Sequence, residues 1–382
     1  MTNKNVIIAA FACAAVFLSV SSCVKVETDR AAVPAETISY QVVNCKLKSP
    51  EIETRATQPF ADDAKFISTA YILPAGQSWD GKGADGILYR NSADVFIDAA
   101  EISKVDAGAG TAVWKDPLNS YYWPKNGGSL TFFAYTPSGL QKASGTGNGV
   151  SITTSGVSYK GWTADGDYLK TDFMAAVPAK DKTANETGVY YNEGVPMLFK
   201  HKLALVQFVA FVEKDDADDI YVESLSITNI YEKGDFSQNN TDEGAWRNRS
   251  NPKEYVLYKP DAPEKLSTAE LKCMPSGYES LLMVPQNLSA LAADDSEVGV
   301  KRAAPEIKIT YYKGTTDASD RKTASIKFED IRSYRWTMGT AIKYSISFGD
   351  TGYPILFDPS VNPWGDNQGA DIVVGGGVLT KP

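Results

Sequence analysis

Histidine is almost missing from this sequence. Its single copy among 382 residues is His201. That scarcity excludes metal sites built on several histidines, and a Ser-His-Asp triad would have to use this one residue. His201 stands in "FKHKLALVQF", at the edge of an apolar run, where a hydrogen-bonded structural role is expected. Excess positive charge is missing too. The 38 Lys and Arg face 47 Asp and Glu, giving a formal net charge of −9. No long basic stretch offsets that balance, so nucleic acid is not an expected partner. Cysteine is scarce: Cys13, Cys23, Cys45 and Cys273 are too few for a disulfide scaffold. No internal repeat with a period of about 20–50 residues is found. Gly375-Gly376-Gly377 lacks the strand-to-helix setting and the lysine of a phosphate loop, so it reads as flexible chain.

Catalytic patterns are equally thin. The acidic clusters at 80–86, 164–167 and 215–219 lack the fixed ligand offsets and closing glutamate of a calcium loop. They read as solvated turns, with a weak calcium site as the alternative. Nothing marks a pair of carboxylates of the kind that hydrolyses sugars. No catalytic residue, cofactor or metal is expected, and the chain reads as a non-enzyme.

What is present begins at the N-terminus. Lys4 precedes the short apolar core Val6 to Leu18, then small residues follow. This is the pattern of an export leader. The core is short for a retained span, which needs about 20 apolar residues. The leader ends Val20-Ser21-Ser22-Cys23, which resembles a bacterial lipobox, in which the cysteine becomes the lipidated first residue. An ordinary leader with an incidental cysteine is the competing reading; the small flanking residues and the polar sequence after Cys23 favour lipidation. Gram-negative export and envelope anchoring follow from that reading. An exported chain meets an oxidising compartment, which permits a Cys45–Cys273 bridge; buried free thiols are the preferred expectation.

Residues 24–37 read as a polar tether. "ISYQVVNCKLK" then alternates, with Ile38, Tyr40 and Val42 on one face, and predicts a first strand over 38–47. A polar loop follows, with Pro50, Arg55 and Pro59. Beyond it come short β-like runs punctuated by Gly, Pro, Asn and Asp. "MLFKHKLALVQFVAFVE" predicts one nearly continuous buried strand. "STAELKCM" predicts a short helix capped by Ser267 or Thr268. The polar stretch at 180–197 suggests a junction between two units. Many short strands at even spacing point to an all-β chain of β-sandwiches.

Several motifs occur in a recognisable order. They are the Val20–Cys23 leader end, "ETRAT", "YYWPKNGGSLTFFAYTP", "MLFKHKLALVQF", "LLMVPQNL", "YRWTMGTAIKYSISF" and "VNPWGDNQGADIVV". In that combination the chain resembles the fimbrillin family, the pilins of Bacteroidetes. Segments 214–270 and 289–305 match nothing in that pattern. The resemblance implies two tandem transthyretin-like β-sandwich (Greek-key) domains behind a lipoprotein signal peptide. It divides the chain into a leader at 1–22, a tether at 23–37 and β-sandwiches at 38–195 and 196–382. It also implies lipid on Cys23, removal of the first strand and loop at 38–55 by an arginine-directed cut, and polymerisation with other pilin subunits by donor-strand exchange. The precursor would sit on the outer membrane through its lipid, and the processed subunit in an extracellular fimbrium that adheres to surface glycans or proteins. The expected cut is Arg55-Ala56; Arg30 is the rival, but a cut there keeps the first strand. The implied C-terminal donor is Ile372, Val373 and Val374, with Val378 and Leu379 beyond the triglycine. An equal reading makes Ile372–Val374 the last strand of the second sandwich. A monomeric surface lipoprotein that binds glycans through exposed tryptophans is the alternative function.

Overall fold

The computed structural model describes residues 37–44, 63–108, 111–184, 194–214, 219–289, 303–331, 335–349 and 355–363. Among them there is no α-helix, only strands and four short 3₁₀ turns. The first stretch carries β1 (Tyr40–Asn44), β2 (Lys65–Leu73), β3 (Asp94–Gly108), β4 (Thr111–Lys115), β5 (Ser129–Thr136), β6 (Gly149–Thr153), β7 (Gly156–Thr163), β8 (Met174–Ala176), β9 (Ala179–Lys182) and β10 (Val195–His201). Then come β11 (Ala204–Val212), β12 (Ile220–Ser237), β13 (Ala245–Tyr258), β14 (Glu264–Lys265), β15 (Leu271–Lys272), β16 (Leu281–Met283), β17 (Gln286–Asn287), β18 (Glu306–Lys313), β19 (Arg321–Lys327), β20 (Arg335–Trp336), β21 (Thr340–Phe348) and β22 (Ile355–Pro363). The all-β expectation holds.

The first sheet runs β2-β3-β4-β1-β10-β8-β5-β9, and β5 also pairs with β2. The pairing therefore closes into a circuit of strands, with β9 attached beside β5. Closure removes free edges, which in an open sheet are templates for unwanted pairing. Inside it lies a core of Ile38, Tyr40, Phe66, Ile97, Ile102, Leu130, Phe132, Met197 and Phe199. A second sheet, β15-β11-β21-β22 with β16, and a third, β19-β18-β12-β7-β6 with β13 and β14, sandwich a larger core. That core includes Phe208 stacked on Tyr344 at 4.9 Å, and Trp162 stacked on Phe173 at 5.6 Å. It draws on residues from Ile67 to Phe348, and the β6–β7 hairpin pairs with β12 through Lys233↔Thr163 and Phe236↔Tyr159. A division of the chain at 195/196 remains a proposal about folding units, and it must accommodate that hairpin.

Two local expectations are corrected. The apolar run at 197–213 is not one strand. It breaks at Lys202-Leu203 into β10, which joins the first sheet, and β11, which joins the second. The break is held by polar groups. Lys202 N–H donates to the Phe173 carbonyl at 2.9 Å, and its fully buried ammonium donates to the Glu243 carbonyl at 2.9 Å. A buried charge must find such partners. The helix expected around Ser267–Met274 is extended chain instead. Cys273 N–H donates to the Phe208 carbonyl at 2.9 Å, and Cys273 and Met274 are buried against the second sheet. So short a helix has too little internal bonding to compete with pairing to β11.

Gln238 ties the two larger assemblies together. It is fully buried, accepts from Val157 N–H at 2.8 Å and donates to the Ala176 carbonyl at 2.7 Å. Gly156, at φ 101°, leaves room for it, since a Cβ there would lie 2.9 Å from its Oε1. Gln238→Leu should therefore cost about 2–4 kcal/mol by stranding two buried backbone groups, read as a fall in the urea midpoint. An unchanged midpoint would refute the bridge.

Cys273 is a free, fully buried cysteine, and burial pushes its thiol up to about 12. Only a thiolate attacks alkylating reagents. At pH 8 the native chain should leave Cys273 unlabelled by iodoacetamide, with labelling at that position appearing on unfolding. The raised pKa also makes the fold less stable in alkali, because the unfolded thiol ionises first, near its ordinary value, and stability is lost between that pH and about 12. Rapid native labelling at Cys273, found by peptide mass, would contradict its burial.

Candidate functional site

The first strand is the part of the fold that carries a functional suggestion. Alternation predicts Ile38 and Tyr40 on one face, and both are buried at 5% and 3% exposure. Val42, the next residue on that face, packs half-buried against the same core. The Tyr40 ring meets Phe66 edge-on at 5.6 Å and Phe132 edge-on at 5.9 Å. Burial raises the Tyr40 phenol well above its ordinary pKa, with the neighbouring Ser68 hydroxyl opposing the shift. Burying each of these two side chains contributes about 1.5–3 kcal/mol.

The pairing of β1 is lopsided. On one side it forms a parallel ladder with β10 from Tyr40↔Val195 to Asn44↔Phe199. Val195 N–H donates to the Ser39 carbonyl at 2.8 Å, just ahead of that ladder. On the other side β1 meets β4 at Tyr40↔Trp114 alone. Beyond that contact a loop takes over, through the Thr37↔Tyr122 bridge and an Ile38 N–H bond to the Tyr121 carbonyl of 2.8 Å. That loop is held by Asp116. Burial by itself would raise the Asp116 carboxyl, but bonds from Asn119, the Leu118 and Asn119 N–H groups and the Tyr121 hydroxyl outweigh it and hold it below the usual range.

Close approach to β1 also needs a glycine. Gly194 sits at φ 93°, and a Cβ there would lie 2.7 Å from the Tyr40 carbonyl carbon and 2.8 Å from the Tyr40 nitrogen. The first strand is legible in the sequence. The pairing of that strand with β10 is not, because β10 lies far along the chain and only Gly194 hints at the close approach.

The other expected site residues fall elsewhere. Cys23, Cys45, Arg55, Ala56, Ile372, Val373, Val374, Val378 and Leu379 lie outside the described residues. The last described strand, β22, pairs with β21 along its whole length, and its other edge has no strand partner among the described residues. His201 ends β10 and contacts the Asp172 carboxylate at 2.9 Å, which anchors the strand end against the segment before β8. In two of the acidic turns a carboxylate already has partners, and residues 215–218 of the third lie outside the described residues. Asp80 pairs with Arg90 at 2.7 Å and Lys180 at 2.9 Å, and Asp165 accepts from Gly166 N–H at 2.9 Å. No group of three His, Cys, Asp or Glu placed to hold a metal occurs among the described residues. Trp79, Trp162, Trp246 and Trp336 are buried, and Trp114 and Trp123 are half-buried, so none of the described tryptophans is an open stacking platform.

Comparison with known proteins fits this architecture. No curated protein matches the sequence. The fold is similar to that of a fimbrial protein from Bacteroides vulgatus ATCC 8482, with a TM-score of 0.53 and 15% identity over 86% of this chain and 99% of that one. Candidate cell adhesion proteins from Bacteroides ovatus ATCC 8483 and Bacteroides uniformis ATCC 8492 align over 86% of this chain and 98% of theirs at 14% identity. Their TM-scores, 0.48 and 0.46, add no weight to the fold assignment. The family model described as fimbrillin-like matches residues 70–364, starting within β2 and ending one residue past β22. A match over that much of the sequence is decisive: this chain belongs to the fimbrillin-like family, whose members are structural and not enzymatic.

Proposed function

We propose that this chain is a subunit of a cell-surface fimbrium that serves adhesion. It is exported as a lipoprotein through Cys23, cut between Arg55 and Ala56, and polymerised by donor-strand exchange. The observation that carries this reading is the placement of β1. It is the first described strand, it fills the core with Ile38 and Tyr40, and it is bonded fully on one side only.

The physical consequences follow from that placement. Arg55 is the one arginine between β1 and β2. A cut there turns an intramolecular strand into a separate peptide and removes its effective concentration. Loss of β1 opens the circuit of the first sheet between β4 and β10. It bares the β10 backbone facing Tyr40–Asn44 and the apolar slot around Phe66 and Phe132. Each stranded buried polar group costs about 1–3 kcal/mol, so the slot favours any strand that can restore the ladder. In Ile372-Val373-Val374, Ile372 and Val374 would share one strand face, as Ile38 and Tyr40 do. A neighbour's tail at that place would link subunits head to tail, and such contacts build filaments because they do not close. The lipid explains why processing is needed. Each buried methylene adds about 0.8 kcal/mol, so a multiply acylated Cys23 would not leave the membrane unaided.

Treatment of the full chain with an arginine-specific protease tests this. A cut after Arg55 should be followed by a ladder of oligomers, and Arg55→Ala should stay monomeric. A clipped chain that remains monomeric, or an Arg55→Ala chain that polymerises as well, refutes the proposal. Tyr40→Ala separates the two states of the slot. It should destabilise the uncut chain by about 3–5 kcal/mol and leave the dissociation of cut oligomers unchanged, since they no longer contain Tyr40. Equal loss in both would place Tyr40 in the polymer.

A further inference from the structure

A cavity of about 420 Å³ lies away from the β1 slot. Its lining includes Trp246, Arg247, Arg249, Asn287, Arg335 and Met338. Three arginines on one cavity are unexpected in a chain with a formal net charge of −9. They also come from separate places. Arg247 and Arg249 stand near the start of β13, and Arg335 begins β20.

Local structure accounts for the gathering. The β12–β13 ladder shifts register between Lys233 and Asp235, and Asn248 opposite takes the left-handed region at φ 52°. Its amide donates to Asp235 at 2.8 Å. The two arginines flanking Asn248 both line the cavity. Arg335 arrives from across the sequence because β20 pairs with β17, through Gln286↔Trp336 and Asn287↔Arg335. Gln286 is a buried post for that pairing. It accepts from Tyr231 N–H at 2.9 Å and donates to the Tyr231 and Val284 carbonyls at 3.1 Å.

The floor is rigid and apolar. Trp246 donates to the Lys202 carbonyl and Trp336 to the Tyr344 hydroxyl at 3.0 Å, and both indoles are buried. The arginine heads differ. Arg249 Nε donates to the Pro285 carbonyl at 2.6 Å, which fixes its fork. Arg247 is exposed, and its side chain makes no hydrogen bond or ion pair among the described residues. The carboxylate across the ladder from it, Asp235, is taken by Gly161 N–H at 2.6 Å and by Asn248.

We propose that this cavity binds a carboxylate-bearing sugar, free or at the end of a glycan. A planar guanidinium matches a carboxylate with two parallel bonds, which a lysine cannot do. The cavity, about 420 Å³, falls within the ordinary range for small ligands, about 300–1,000 Å³. Asn287 and Thr337 supply polar partners for ring hydroxyls, and Met338 supplies apolar contact for the C–H face. The site does not rest on polymerisation and would serve a monomer or a fibre.

Calorimetric titration of the full chain at low ionic strength tests this with three probes: D-glucuronate, neutral methyl glucoside and inorganic sulfate. D-Glucuronate should bind saturably at one site, and the other two at least about tenfold more weakly. Arg247→Ala should weaken glucuronate about tenfold or more, the loss expected for a hydrogen bond to a charged group, with an unchanged Tm. Arg247→Lys, which keeps the charge and loses the fork, should fall between them. Absence of saturation overturns the proposal. So does methyl glucoside binding as well as glucuronate, or glucuronate binding that Arg247→Ala leaves intact. Sulfate binding as tightly as glucuronate would reduce the site to an anion patch and overturn it equally.

Discussion

The parallel ladder between β1 and β10 is the contact on which the first sheet depends. It joins Tyr40–Asn44 to Val195–Phe199. Without it the circuit β2-β3-β4-β1-β10-β8-β5 opens, because β1 alone connects β4 to β10. A sheet that closes through its earliest strand must wait for that strand and a distant partner to meet, which makes the closure slow to form and late in folding. The same strand fills a core and is laddered along one side, while β4 meets it on the other at Tyr40↔Trp114.

The larger core of the molecule contains no residue of β1. The larger core draws on both halves of the sequence, and the β6–β7 hairpin binds β12 across it. Gln238 adds a buried hydrogen-bonded link from Val157 to Ala176. The buried Lys202 ammonium marks the point where the chain leaves one sheet for the next, and its carbonyl holds the Trp246 indole. The β1 ladder runs along β10 from Val195 to Phe199, and Lys202 follows directly after that strand, so the strand that lines the slot is also the strand tied to the larger core.

Legibility in the sequence followed the range of the interaction. The alternation of Ile38, Tyr40 and Val42 announced the first strand, because period-two burial is local. The break at Lys202 was not legible. A lysine inside an apolar run looks like a tolerated solvent-facing residue until its carbonyl partners at 242–243 are known. The segment Ser267–Met274 misled because helix propensity is weak and pairing with β11 overrode it. The arginine cavity was invisible for the same reason as β10: Arg247 and Arg335 meet only through the β17–β20 pair.

We propose that β1 is present in the precursor and absent from the working subunit. The most direct measurement is the mass and N-terminal sequence of the protein in fibres assembled by cells. The account predicts chains that begin at Ala56. Polymerised chains that still begin at lipidated Cys23, or anywhere before Ile38, would contradict it.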